Sequence, residues 1–106
     1  MSLFLIVLLA FNTMVFSKDL EGREVFMNNC VACHGVNGDG RGPAAVAIKT
    51  LPPRDFTKGV YKYGSSEDEV FNTITKGIKG SAMPPWSTLP EKDRRAVARY
   101  VLSLKK

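Results

Sequence analysis

The sequence predicts an all-α domain whose helices are joined by irregular loops. Three observations carry that expectation. Apolar residues recur at helical spacing in segments with recognisable caps. No stretch alternates with period two for long enough to make a half-buried strand, since "VYKY" at 60–63 is short and sits between Gly59 and Gly64. The connecting segments are rich in Gly and Pro. At 106 residues the chain is long enough for one domain, and a core of that size needs a cofactor, metal or crosslink to supplement it.

Residues 1–17, "MSLFLIVLLAFNTMVFS", carry no Lys, Arg, Asp or Glu, whereas every charged residue lies from Lys18 onward. The apolar run from Leu3 to Phe16 is shorter than the ~20 residues that span a bilayer, and Val15 and Ser17 suit a cut before Lys18. A signal peptide over 1–17 and a mature domain over 18–106 are expected, with an uncleaved anchor as the alternative.

The first helix is expected over about Asp19–Asn29, with Asp19 as N-cap and Val25 and Phe26 on its apolar side. The second follows Ser66, because Glu69 three residues on completes a capping-box pattern. Val70, Phe71 and Ile74 then share one face, and Gly77 offers a stop. The last begins near Pro90 and runs toward Lys105 and Lys106, with Val97, Tyr100, Val101 and Leu104 as its buried stripe. Acidic residues open the second and last helices and lysines close them, so much of the charge pattern supports helix dipoles. The net charge of +5 is not gathered into one basic tract. That argues against nucleic acid as the partner and for steering toward acidic protein surfaces.

"CVACH" at 30–34 holds both cysteines and the single histidine. A disulfide between Cys30 and Cys33 would close a loop too short to stabilise anything distant. A redox dithiol belongs at the start of a helix after a strand, and no strand is expected here. Zinc needs four ligands, and Cys30, Cys33 and His34 are only three. Covalent haem attachment uses all three residues: in a helical turn the two thiols face one side for the haem vinyl carbons, and His34 follows one turn after Cys30 to reach the iron.

With that motif the chain resembles the class I c-type cytochromes over essentially the whole of 18–106. Gly22 and Phe26 match the small residue and aromatic that the family packs against its C-terminal helix, where Val97 and Tyr100 match the receiving positions. "GRGP", ending at Pro43, is similar to the family loop whose proline carbonyl accepts a hydrogen bond from the iron-bound histidine. The resemblance implies a small cytochrome c fold, three or more helices wrapped around one covalent haem c.

A second imidazole cannot complete the iron, which leaves methionine, lysine, water or an open position. Met1 and Met14 belong to the leader, and Met27 lies three residues before Cys30. Met83, in "KGSAMPPW" between the second and last helices, resembles the family's ligand loop; its ordinary alternative is a gap-filling core side chain. Phe56, Tyr61 and Tyr63 are candidates to line the haem edge, and Arg54 or Trp86 to hydrogen-bond a propionate. Asp39 in "GVNGDGRGP" lacks the spaced acids of a calcium loop.

The expected function is therefore one-electron transfer in the periplasm, not catalysis. Cys30 and Cys33 would hold the haem, His34 and Met83 would ligate the iron, and redox proteins with acidic docking surfaces would be donor and acceptor. The chain would act as a monomer or as a subunit of a larger redox complex, meeting the membrane only through an uncleaved leader. The rivals are a haem peroxidase or gas sensor with an open sixth position, and a non-haem dithiol module.

Overall fold

The computed structural model describes residues 20–106, and the leader and Asp19 lie outside them. Helix α1 covers 20–29. A short helix α2 (Val31–His34) follows at once, then 3₁₀ turns at Pro43–Ala47 and Phe56–Lys58, α3 (Glu67–Lys76) and α4 (Glu91–Leu102). The described residues contain no strand. The molecule is thus all-α, with two 3₁₀ turns that helical periodicity does not reveal.

Helix α3 starts where its local chemistry dictates. The Ser66 hydroxyl accepts from the Glu69 amide at 3.1 Å, and the Glu69 carboxylate accepts from the Ser66 amide at 3.3 Å. This reciprocal pair satisfies two helix-end donors. Glu67, Asp68 and Glu69 crowd the first turn and Lys76 closes the last. At the other end Gly77 adopts φ 69°, a left-handed value that stops the helix, and the Gly77 amide still reaches Thr73 O at 2.8 Å.

Helix α4 uses Pro90 as N-cap and ends at Leu102 rather than at the terminal lysines. Ser103 takes over there: its amide donates to the Arg99 and Tyr100 carbonyls, and its hydroxyl to Tyr100 O. The chain then turns so that the Lys106 amide donates to Thr57 O at 2.9 Å.

Phe26, Phe56, Val70, Ile74, Val97, Ala98 and Val101 form one buried cluster shared by α1, the second 3₁₀ turn, α3 and α4. Helices α1 and α4 meet at Gly22, where a Cβ would lie 2.5 Å from Ala96 O and 2.9 Å from the Tyr100 Cβ, so only glycine permits this approach. One turn on, Phe26 is fully buried and its ring lies 5.3 Å from that of Tyr100. The expected packing of Gly22 and Phe26 against Val97 and Tyr100 is present. Between α3 and α4, Arg95 pairs with Asp68 and places its guanidinium 3.8 Å from the Phe71 ring centroid. Arg94 donates to Thr75 Oγ1 at 2.8 Å and to Leu89 O at 3.1 Å.

Candidate haem site

The CVACH stretch continues the helical path of α1. The Cys30 amide donates to Phe26 O at 2.8 Å, Cys30 caps α2, and the His34 amide donates to Cys30 O at 2.9 Å. The chain then doubles back beneath the motif, with the Gly40 amide on His34 O at 2.9 Å and the Gly42 amide on Cys33 O at 3.0 Å. Asp39 serves this loop: its carboxylate accepts from the Arg41 amide at 3.0 Å. Local backbone bonds therefore fix where the two thiols and the imidazole leave the chain.

The His34 imidazole is stacked on Phe56, with ring centroids 4.5 Å apart and planes 24° from parallel. Burial holds its pKa below the ordinary value, opposed in part by the nearby main chain of Arg54. Nδ1 is buried and makes no hydrogen bond. The bond expected between the His34 ring and the Pro43 carbonyl is thus not formed, and Pro43 instead opens the first 3₁₀ turn. Phe56 was expected only at the haem edge; its contact with the imidazole joins residues far apart in sequence and left no local signal.

Met83 is carried by a loop folded back on α3. The Ile78 amide donates to Met83 O at 3.2 Å and the Trp86 amide to Ile74 O at 3.0 Å. Ser81 closes the turn, its hydroxyl donating to Ile78 O at 2.7 Å and accepting from the Met83 amide at 3.1 Å.

Cys30, Cys33, His34 and Met83 all line one cavity of about 460 Å³. Its walls are largely apolar, with Ile48, Val70, Ile74, Ile78 and Val101 from the loops and from α3 and α4. Phe56, Tyr61, Tyr63, Arg54 and Trp86 border it too, so the five aromatic and basic candidates read from the sequence converge here. Val70 and Ile74 were expected only as a buried helix face.

The donor set suits a haem better than its rivals. Burial, reinforced by Cys33, pushes the Cys30 thiol up to about 11, the reverse of the depressed pKa that a reactive dithiol needs. Both thiols are free. Among the described residues no three His, Cys, Asp or Glu side chains are grouped to hold a bare metal ion. A flat apolar macrocycle matches the apolar walls, two thiols and an imidazole supply its attachment chemistry, and the orphaned imidazole shows a polar group waiting for a partner.

Helices and loops arranged around such a cavity, with paired thiols and an imidazole on one wall, define a c-type cytochrome domain, a haem c protein of the electron-transfer class. Residues 17–101 match the family described as cytochrome c oxidase, cbb3-type, subunit III, and the chain belongs to that family. It is 37% identical over 96 residues to the cbb3-type oxidase subunit CcoP of Rhodobacter capsulatus, covering 83% of this chain and 30% of that one. It is 34% identical over 85 residues to the cbb3-type subunit FixP of Azorhizobium caulinodans, covering 79% and 26%. The chain therefore spans less than a third of the length of these relatives.

Among solved structures it resembles a chain of the reducing HAO-like protein complex of Kuenenia stuttgartiensis. The TM-score is 0.78 and the identity 33%, over 85% of this chain and 44% of that one. Cytochrome cL of Methylophaga aminisulfidivorans shares the fold, with a TM-score of 0.65 and 23% identity, over 82% and 55%.

Proposed function

We propose that this domain passes single electrons through one haem c, attached by thioethers from Cys30 and Cys33 and ligated by His34 and Met83. The observation that carries this is the convergence of those four side chains on one apolar cavity. When bound, haem c supplies a one-electron iron couple, and the chain's residues set its environment. The apolar walls from α3 and α4 exclude water. Met83 would offer the iron a thioether, which favours the reduced form, and His34 an imidazole; held by both, the iron would serve to carry electrons rather than to bind oxygen or peroxide.

The family supports a further step. The relatives are named as subunits of cbb3-type oxidases, and we assign this chain a place in the electron path of a larger redox complex, on the periplasmic side, after export directed by residues 1–17. No helix among the described residues is long and apolar enough to cross a membrane. Partners with acidic surfaces are favoured by the +5 charge.

A denaturing gel stained for haem, run beside an intact-mass measurement, tests the reading. The expected result is a stained band whose mass equals the chain from Lys18 plus a single haem. An unstained band with both thiols still titratable overturns it.

A further inference from the structure

The position of the His34 ring poses a problem of control. Backbone hydrogen bonds fix its Cα, Nδ1 is buried without a hydrogen-bond partner, and the main chain of Arg54 is the polar group that acts on the ring. An apolar neighbour bears on the ring's rotation directly. Phe56 lies 4.5 Å away and near parallel, and it is itself held on several sides. Its amide donates to Gly38 O at 2.7 Å, and Asp55 caps the 3₁₀ turn that carries it. Its ring also stacks with Tyr61 at 5.8 Å and 15°, and meets the edge of Phe26 at 6.5 Å. Tyr61 in turn donates its hydroxyl to Val101 O in α4 at 3.4 Å.

We infer that Phe56 is a positioning residue for the iron ligand: its stack with His34, backed by Tyr61, sets the plane of the imidazole about the iron axis. Offset stacking fixes a ring's plane while leaving its nitrogens free, so orientation is decoupled from hydrogen bonding at Nδ1. This inference rests on the haem reading above. Imidazole orientation governs how unpaired spin is spread over a ferric haem, so it is read from the order of the haem-methyl NMR resonances and from the ferric EPR g values, independently of electron-transfer activity.

The experiment uses holoprotein of F56L, F56Y, Y61L and V97A. A haem-stained band in each variant checks attachment separately from orientation. F56L is expected to reorder the haem-methyl resonances and shift the EPR spectrum, and Y61L to move both in the same sense by less. F56Y, which keeps the ring, should restore the wild-type order. V97A, a cavity at a fully buried position that does not line the haem cavity, should lower Tm while leaving the spectra unchanged. Wild-type spectra in F56L overturn the inference, as does the same reordering in V97A. Should F56L fail to accumulate, wild-type spectra in Y61L overturn it instead.

Discussion

Met83 and Asp55 show how much a single side chain can be asked to do. A thioether stabilises ferrous iron, so M83A is expected to keep its haem band, lower the midpoint potential, and bind cyanide or carbon monoxide rapidly where the wild type does not. An unchanged potential and no ligand binding would mean that another group completes the iron. Asp55 acts at the second 3₁₀ turn. The Thr57 hydroxyl first, then the Thr57 amide and the charges of Lys58 and Arg41, hold its carboxyl below the usual range. A carboxylate depressed by folding stabilises the protein above its unfolded pKa of about 3.9, and that contribution fades as pH falls through the lower folded value. The Tm difference between wild type and D55A should accordingly be widest near neutrality and narrow in acid. A difference that is constant with pH would show that the charge of Asp55 is irrelevant to the cap.

Among the elements, those with local signals were the legible ones. Ser66 and Glu69 announce α3 three residues apart, and Val97, Tyr100 and Val101 mark the buried face of α4; both helices lie where these residues put them. The turn around Cys30–His34 was equally plain, because its chemistry constrains its conformation. The 3₁₀ turns at Pro43 and Phe56 were not, since three to five residues carry no periodicity. Nor was the end of α4 at Leu102, which depends on Ser103 hydroxyl bonding and on the distant Thr57 carbonyl. The Pro43 carbonyl was expected on His34 and is not bonded to it, a matter of loop path that no short pattern encodes. Two variants test the elements. S66A removes the hydroxyl arm of the capping box and should cost about 1 kcal/mol, read as a Tm drop of roughly 4–8 °C. G22V forces a branched side chain against Ala96 O and Tyr100, and should cost on the order of 1–3 kcal/mol or more. A G22V protein as stable as wild type would mean that α1 and α4 can separate freely.

At the scale of the molecule, the buried cluster is small, and Phe56, Val70, Ile74 and Val101 in it also line the cavity. A chain of this size then depends on what it binds for much of its apolar contact. C30A/C33A, which cannot be crosslinked to a haem, is expected to lose its cooperative unfolding transition, and a sharp native-like melt in that variant would contradict this. From the +5 charge and the proposed acidic redox partner, an association rate that falls steeply as salt is raised is expected, and a rate insensitive to ionic strength would contradict the steering. The seam between α1 and α4 has a temporal consequence as well. Its two halves come from remote stretches of polypeptide, and the segment bearing Cys30, Cys33 and His34 emerges long before Ala96 and Tyr100 exist to meet Gly22. Until then the two thiols and the imidazole stand on an unclosed chain. The seam is thus a latch that only the arrival of the final helix can close.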